Sequence, residues 1–368
     1  MKILHFADFH IGHKAYGLKA RKRKMLENIS SSHEGGMLDV IARYKPDAVL
    51  VSGDIFDNPE PTFDDLYHFK LFCQAAQRAP GRTCPLILCT GNHDKQNDSA
   101  VTLSEFFNTS MDVKMNDSLV AKGVRIYAMD FVHRNDLKKK VEELPNDIDI
   151  LVMHQSMCGF LPTIARPEID EEIAKILSTK AQYIALGDLH IHRKMELKEG
   201  VYAAYPGTVD FLRYGEESKH FKCWKIELED GKIESISSIR IKPLQNTEVI
   251  DVKHIDDIVD FENKAEAQPE DFFFLKDFMG EDKPVLDAIQ RATSKNPNLC
   301  VYRSIASTQR EEAENEEEQY NRGDDFIQVI MDDDCVSEKE KDIAVDLWRA
   351  PSTKAIQGVL ESLTVEST

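Results

Sequence analysis

The sequence contains no apolar run long enough to cross a membrane. Runs such as Ala48 to Val51 and Leu86 to Cys89 are only four residues long, whereas a transmembrane helix needs about 20. The N-terminal residues also lack the continuous apolar stretch of a signal peptide, because His5 and Asp8 interrupt it. These absences predict a cytoplasmic protein that does not enter a membrane.

Paired cysteines and nucleotide-binding loops are missing as well. The seven cysteines are scattered and form no Cys-x-x-Cys pair, which argues against a disulfide framework and against a thiolate zinc site. Reduced, mostly buried thiols are predicted instead. No Gly-rich Walker loop of the form G-x-x-x-x-G-K-[ST] is present, so any dependence on ATP must come from another subunit.

Net positive charge is the third absence. The formal net charge is −19, although basic surface drives the binding of nucleic-acid phosphates. The acidity is concentrated: residues 309–346 contain 15 Asp and Glu against 4 Lys and Arg, a net of −11, which leaves −8 for the other 330 residues. The acidity weakens the prediction that the protein binds nucleic acid but does not exclude it.

Short apolar runs followed at once by polar residues recur through the first two thirds of the chain. The runs are Lys2–Ala7, Ala48–Ser52, Pro85–Thr90, Ile148–Met153 and Ala181–Leu186. Their lengths and flanking turn residues are typical of buried strands, and amphipathic helical stretches such as Phe63–Gln77 lie between them. This alternation predicts an α/β layered domain, with strands after Gly200 completing a second sheet.

Composition predicts four segments. Residues 1–245 form the main domain, and residues 246–306 read as a small α+β cap domain with alternating strands and helices. Residues 307–340 are acidic and poor in apolar side chains, which predicts a solvated linker. Residues 341–368 regain helical periodicity, and this helical tail is predicted to dock onto a partner or back onto the body.

The polar residues that follow the five predicted strands are metal-ligand types. They are Asp8-Phe9-His10, Gly53 to Asp57, Gly91 to Asp94, His154, and Gly187 to His192. In α/β sheets the carboxyl ends of the strands form the binding edge, so these loops are expected to meet. So many carboxylates require divalent cations, and mixed oxygen and nitrogen donors suit manganese, iron or zinc better than calcium. Two such metals are what phosphodiester cleavage needs.

At these residues a family resemblance becomes visible. The ordered set D-x-H, G-D-x-x-D, G-N-H-D, a lone His and G-[HD]-x-H resembles the calcineurin-like metallophosphoesterases. The opening Met1 to Gly12, Gly53 to Asp57 with Pro59 and Pro61, and Tyr183 to Gly187 look like the SbcD nucleases. The resemblance covers roughly residues 1–240. It implies a two-sheet sandwich flanked by helices, with the cap helping to bind DNA.

The resemblance also implies a function and partners. It suggests a DNA exonuclease and endonuclease with two metal ions, manganese first, with magnesium, iron or zinc as alternatives. The expected partners are DNA, an SbcC-like coiled-coil ATPase reached through the C-terminal helices, and a second copy of the chain in a homodimer. Such complexes act in the repair, recombination or replication of DNA.

Carried over through the matched motifs, the resemblance implies roles for individual residues. The first metal is assigned Asp8, His10 and His190, with Asp54 as the bridge to the second. The second metal is assigned Asn92, His154 and Asp188. His93, outside the coordination shell, is expected to steady the scissile phosphate and help protonate the leaving oxygen.

The last motif departs from the usual Gly-His-x-His of the family. This chain has Gly187-Asp188-Leu189-His190, and an Asp can ligate manganese as a His does, so the departure is interpreted as a ligand swap. An alternative register uses His190 and His192 as the ligand pair. The first register is preferred because a glycine belongs just before the first ligand.

Two further features have alternative interpretations. A basic run directly after the first ligand loop is either a solvated helix face or a contact to the DNA backbone; its members are Lys14, Lys19, Arg21 and Lys22. The three residues Phe272 to Phe274 are interpreted as cap core in preference to a base-stacking platform.

Two other functions compete with a DNA nuclease. One is a phosphatase or small-substrate phosphodiesterase on the same scaffold, which the SbcD-like opening and the added cap and tail disfavour. The other is a non-catalytic DNA-end scaffold whose metal site has decayed. The intact motifs around Asp8, Asp54 and Asn92 argue against decay.

Overall fold

A computed structural model describes residues 1–78, 84–94, 107–108, 113–160, 167–214, 221–279, 282–297 and 299–305. The predicted acidic linker at 307–340 and helical tail at 341–368 lie outside these residues. Within these residues the chain divides into two compact units, one from the ranges 1–250, 259–275 and 287–302, the other from the ranges 251–258, 276–286 and 303–305. The four segments inferred from composition stay a prediction.

The first sheet consists of six strands. They are β1 (Lys2–Phe6), β2 (Ala48–Ser52), β3 (Leu86–Cys89), β4 (Lys114–Met115), β11 (Lys222–Glu229) and β12 (Lys232–Arg240). Their order is β12-β11-β1-β2-β3-β4. Strands β1 to β4 run parallel, with Ile3 opposite Ala48 and Val49 opposite Leu86. The carboxyl ends of β1, β2 and β3 therefore lie at one edge of this sheet.

The second sheet also has six strands. They are β5 (Ser118–Ala121), β6 (Val124–Ala128), β7 (Ile150–His154), β8 (Tyr183–Gly187), β9 (Arg193–Lys198) and β10 (Val201–Tyr205). Their order is β5-β6-β7-β8-β10-β9, and the four central strands are parallel. His154, the last residue of β7, lies opposite Gly187, the last residue of β8.

The two sheets pack face to face. One apolar cluster combines buried side chains of the first sheet, such as Ile3 and Leu50, with those of the second, such as Ile150 and Val152. Helices cover the outer faces: α1 (Lys19–Ser30), α2 (Met37–Tyr44), α3 (Phe63–Gln77), α4 (Arg134–Glu143) and α5 (Glu171–Lys180). The predicted two-sheet α/β sandwich is confirmed.

A third sheet with two helices follows. Its strands β13 (Thr247–Val252), β14 (Phe272–Asp277) and β15 (Cys300–Ile305) adjoin in that order, and the helices are α6 (Ile255–Ala267) and α7 (Asp282–Lys295). Phe272, Phe273 and Phe274 are at most 4% exposed, so all three are core residues. Phe273 packs on Phe261 of α6 as cap core, whereas Phe272 and Phe274 join the buried cluster of the first sheet, so the prediction of cap core is wrong for these two. In the smaller unit, Arg303 pairs with the buried Asp277, and the amide of Phe278 donates to Val252.

The six cysteines among the described residues are free thiols, and all but Cys158 are buried. Within the same residues, no helix combines the length and the apolar character that a membrane span requires.

Candidate metal centre

The predicted ligand loops meet at one edge of the sandwich. Asp8 and His10 follow β1, Asp54 follows β2 and Asn92 follows β3, while His154 ends β7 and Asp188 and His190 follow β8. Backbone hydrogen bonds join the loops: the amide of Asp8 donates to Gly53 at 3.1 Å and that of His10 to Asp54 at 2.9 Å. The amide of Asp188 donates to Asp8 Oδ1 at 3.1 Å, which links the two sheets.

The backbone of these loops is unusual. Four of these residues have positive φ angles, between 44° and 100°: Asp8, His10, Asp54 and Asp188. Residues other than glycine adopt this backbone conformation only at a cost in free energy. Gly91 allows a close approach, since a Cβ there would lie 2.1 Å from Asp54 Oδ1. Several strained residues in one small region are typical of functional sites.

The first group of ligand atoms contains Asp8, His10 and His190, all within 4.8 Å of one another. His10 Nδ1 lies 3.2 Å from Asp57 Oδ1, so this nitrogen donates its proton and Nε2 presents a lone pair. That lone pair faces His190 Nε2 at 3.1 Å and Asp54 Oδ2 at 3.4 Å. Asp8 Oδ2 is buried without a hydrogen-bond partner.

The second group surrounds His154. Its Nδ1 lies 2.9 Å from the carbonyl oxygen of Ser52, which can only accept, so Nδ1 carries the proton and Nε2 faces outward. Nε2 lies 3.0 Å from Asn92 Oδ1, 3.4 Å from Asp54 Oδ1 and 3.9 Å from Asp188 Oδ1. Four atoms with lone pairs therefore converge on one point.

Asp54 lies between the two groups. Its Oδ2 faces His10 and its Oδ1 faces His154, both at 3.4 Å. A carboxylate with one oxygen toward each group can bind one cation with each oxygen. The donor sets therefore fit two divalent cations with Asp54 shared between them.

The electrostatics of the site support this fit. Burial raises the pKa of Asp8 to about 7 and the pKa of Asp188 to about 6. Burial would also raise the pKa of Asp54, but the charges of His154 and His10 outweigh it and lower that pKa. Burial lowers the pKa of His10, which favours the neutral imidazole that metals bind. Burial would also lower the pKa of His154, but the charges of Asp54 and Asp8 outweigh it and raise that pKa well above its usual value. Without a cation, His154 therefore carries the positive charge that offsets the carboxylates, and a bound cation would take its place.

His93 lies beside the first group. Its ring centroid is 4.9 Å from that of His10, and its Nδ1 lies 2.9 Å from the carbonyl oxygen of Asp57. This hydrogen bond fixes the proton on Nδ1 and leaves Nε2 as the nitrogen that can exchange a proton with a substrate. Asp57 thus orients His10 through its carboxylate and His93 through its backbone.

Asp57 and Asp94 also shape the site, although their motifs predicted no role for either. Asp57 is the second Asp of the G-D-x-x-D motif, which was the available signal. Asp94 is buried, and its carboxylate accepts from the amides of Ile55, Phe56 and Gly91 at 2.7 to 3.0 Å. It therefore fixes the loop that follows β2 against the loop that follows β3.

Comparison with known families agrees with this geometry. A family model described as calcineurin-like phosphoesterase matches residues 1–192, which include every ligand candidate described above. The chain belongs to the calcineurin-like phosphoesterase family. This family uses a dinuclear site for divalent metals, and the described residues supply candidate ligand groups for one.

Curated relatives of this calcineurin-like phosphoesterase include several archaeal proteins named DNA double-strand break repair protein Mre11. The protein of Sulfolobus acidocaldarius is 25% identical over 267 residues, which cover 68% of this chain and 66% of the relative. That of Aeropyrum pernix is 26% identical and covers 58% and 55%, and that of Methanocaldococcus jannaschii is 24% identical and covers 82% and 83%. The chain thus spans less than two thirds of the length of the first two relatives.

The structure separates the two registers of the last phosphoesterase motif. Asp188 Oδ1 faces the second group and His190 belongs to the first. His192 points elsewhere: its Nδ1 lies 3.0 Å from the carbonyl oxygen of Pro206 and its ring stacks on Trp224 with centroids 4.0 Å apart. The geometry therefore favours the register with Asp188 and His190.

The residues of the basic run after the first ligand loop differ in their exposure to solvent. Lys14 and Lys19 are exposed and Lys22 is partly exposed. Arg21 is 1% exposed, and its Nη2 lies 2.5 Å from Asp210 Oδ1. Helix α1 turns Arg21 inward with Met25 and the other residues of its buried face. Contrary to the sequence expectation, Arg21 does not present its charge to a DNA backbone.

Proposed function

We propose that this phosphoesterase is a metal-dependent DNA nuclease, the SbcD-like subunit of an SbcCD-type complex that processes DNA ends. The observation that carries the proposal is the pair of lone-pair clusters with Asp54 between them. Two adjacent divalent cations are the arrangement that phosphodiester hydrolysis uses. The relatives named as double-strand break repair proteins support DNA as the substrate.

The proposed ligands divide between the sheets. The first cation would be held by Asp8, His10, His190 and Asp54, and the second by Asp54, Asn92, His154 and Asp188. Mixed oxygen and nitrogen donors without sulfur favour manganese, with magnesium, iron or zinc as alternatives. When bound, such cations lower the pKa of the attacking water and stabilise negative charge on the phosphoryl oxygens.

Asp57 and His93 have roles beside the proposed metal ligands. The carboxylate of Asp57 holds His10 in the tautomer that presents Nε2. The carbonyl of Asp57 holds the Nδ1 proton of His93, so a charged His93 carries its second proton on Nε2. That proton is positioned to pass to the oxygen that leaves the phosphorus, as a general acid requires.

The proposed partners use other surfaces. DNA would contact the exposed Lys14 and Lys19 and the partly exposed Lys22, which lie just beyond the first ligand loop. Phe63 and Tyr67 are 92% and 58% exposed and lie one turn apart on α3. Apolar side chains on one helix face support a homodimer. An SbcC-like ATPase would bind the tail at 341–368, outside the described residues, and the proposed location is the cytoplasm.

A cleavage assay tests the proposed nuclease. The wild type is incubated with linear DNA and manganese beside Asp54→Ala and His93→Leu, with the exposed Asp136→Ala and His254→Leu as matched controls. Cleavage by the wild type and the controls, with loss in both site variants, is the expected result. Hydrolysis of small phosphate esters without DNA cleavage would indicate the phosphatase alternative. No turnover, even with the ATPase partner present, would indicate a non-catalytic scaffold.

A further inference from the structure

A chain of buried hydrogen bonds lies beneath the candidate metal centre. His5 on β1 and Ser52 on β2 belong to the first sheet, whereas Tyr183 and Ala185 on β8 belong to the second. His5 Nδ1 lies 3.0 Å from the hydroxyl of Tyr183, and His5 Nε2 lies 2.9 Å from Ser52 Oγ. All four residues are 0% exposed. These contacts cross from one sheet of the sandwich to the other.

The donors in this chain can be assigned. The hydroxyl of Ser52 donates to the carbonyl oxygen of Ala185 at 3.0 Å, and a carbonyl can only accept. Ser52 Oγ must therefore accept from His5, so the proton of His5 is on Nε2. His5 Nδ1 is then the acceptor of the Tyr183 hydroxyl. Each ring nitrogen of His5 thus has a side-chain partner, and these two bonds favour one neutral tautomer.

The backbone carbonyl group of Ser52 contacts His154, a proposed ligand of the second metal ion. The carbonyl oxygen of Ser52 accepts the proton of His154 Nδ1 at 2.9 Å, which turns Nε2 of that ligand toward the second group. The approach is tight, because a Cβ at Gly187 would lie 1.8 Å from this oxygen and 2.7 Å from His154 Nδ1. The position of Ser52 therefore sets both the tautomer and the orientation of His154.

We infer that His5 is a positioning residue for the second metal ion: by holding Ser52 against β8, it fixes the carbonyl group that orients His154. This inference rests on the proposed metal centre. The side-chain hydrogen bonds of His5 within the described part of the chain go to Tyr183 and Ser52, so it acts on the proposed ligand His154 through Ser52. The hydrogen bond from His154 to Ser52 is of the kind whose loss commonly changes metal affinity by about 10- to 100-fold. His5 acts one bond further away, so an effect at the lower end of that range is expected.

The chemistry of the surroundings supports a specific role for this polar group. His5 lies beside the apolar layer between the sheets, where Ile3 and Leu50 pack with Tyr183. A polar ring in such a place costs free energy relative to an apolar side chain unless each of its polar atoms is bonded. Burial also lowers the pKa of His5 to about 3, so the ring keeps its neutral tautomer throughout the working pH range.

Two substitutions of His5 separate its two hydrogen bonds. In His5→Gln the amide nitrogen takes the place of Nε2 and can still donate to Ser52. In His5→Asn the amide oxygen takes the place of Nδ1 and can still accept from Tyr183. Both variants introduce a side-chain amide into the same buried place, so each is the stability control for the other.

Direct binding of Mn²⁺ to the full chain is the measurement, made by titration calorimetry and by electron paramagnetic resonance of free Mn²⁺, with melting temperatures recorded alongside. We expect His5→Asn to weaken the second binding event by about 10-fold and His5→Gln to retain nearly wild-type affinity. Tyr183→Phe should behave as His5→Gln does, because it keeps the bond to Ser52. Tyr16→Phe, which loses a hydroxyl bond to Leu212 at 2.7 Å outside this chain, is the control for the tyrosine change.

Three results would contradict the inference, each at a different step. If His5→Asn and His5→Gln bind Mn²⁺ equally well, or lose affinity only in proportion to their loss of melting temperature, His5 contributes packing alone. If Tyr183→Phe loses as much affinity as His5→Asn, the path through Ser52 is wrong. A wild type that binds no Mn²⁺ would remove the proposed metal centre itself, which distinguishes failure of the proposed function from failure of this inference.

Discussion

The buried carboxylate of Asp8 should destabilise the metal-free protein. Asp8 is 0% exposed, one of its oxygens has no hydrogen-bond partner, and burial raises its pKa from 3.8 to about 7. Replacing it by Asn removes the charge and keeps the shape. We therefore expect Asp8→Asn to be more stable than the wild type in a chelator at pH 8.

The magnitude follows from the pKa. Because the folded state binds the proton of Asp8 more tightly than the unfolded state does, the contribution of Asp8 to stability is largest below pH 4 and is lost as the pH rises to about 7. Each pKa unit corresponds to about 1.4 kcal/mol, so the loss above pH 7 is on the order of 4 kcal/mol. The gain in Asp8→Asn should vanish near pH 4.

A second buried aspartate supplies the control. Asp210 is 3% exposed, but it pairs with Arg21 at 2.5 Å and accepts from Asn28 at 3.1 Å. Asp210→Asn leaves the buried guanidinium of Arg21 without its counter-charge, a change that costs about 3 to 5 kcal/mol. The same substitution is therefore expected to stabilise the chain at one buried site and destabilise it at the other.

Urea denaturation followed by circular dichroism tests both variants, first with a chelator and then with manganese. Manganese should stabilise the wild type and Asp210→Asn, but should have much less effect on Asp8→Asn, which has lost a proposed ligand. If Asp8→Asn is destabilised in the chelator at pH 8 as strongly as Asp210→Asn, the uncompensated carboxylate is not a source of instability. The electrostatic argument for a cation at this site would then fail.

Three other substitutions give separate tests. Gly187→Ala places a Cβ 1.8 Å from the carbonyl oxygen of Ser52, and the forced displacement should lower stability by about 1 to 3 kcal/mol in thermal unfolding and weaken manganese binding. Phe63→Glu puts a charge on the exposed face of α3 and should convert the proposed dimer to a monomer in analytical ultracentrifugation. Replacing Lys14, Lys19 or Lys22 by Ala should weaken binding to DNA of any sequence. In binding measured at several salt concentrations, the slope of log affinity against log salt should fall in magnitude by about 0.9 for each lost phosphate contact.

The layered core and the strand-end site could be predicted because both depend on local patterns. The helix Phe63–Gln77 and the strand Ala48–Ser52 have the predicted bounds. The five ligand loops each follow a buried strand, so once parallel sheets were inferred, their convergence followed from the geometry of strand ends. Local periodicity and turn residues carried this part of the fold.

The burial of individual polar side chains could not be predicted in the same way. Arg21 stands in a run of basic residues, and its partner Asp210 is 189 positions away in the sequence. His5 pairs with Tyr183 at a separation of 178. Whether a polar side chain is buried depends on a partner that only the tertiary structure brings close. A single sequence contains both members of each pair but no signal that connects them.

The division of the ligand candidates between the sheets links metal binding to the packing of the sandwich. Asp8, Asp54 and Asn92 come from the first sheet, whereas His154 and Asp188 come from the second. A cation that binds both sets must resist any displacement of one sheet against the other. At 100 times its dissociation constant, one bound ligand stabilises the folded state by about 2.7 kcal/mol. Two cations would then offset a cost of the size expected for Asp8 alone, so the loaded protein is the state in which this arrangement of carboxylates is stable.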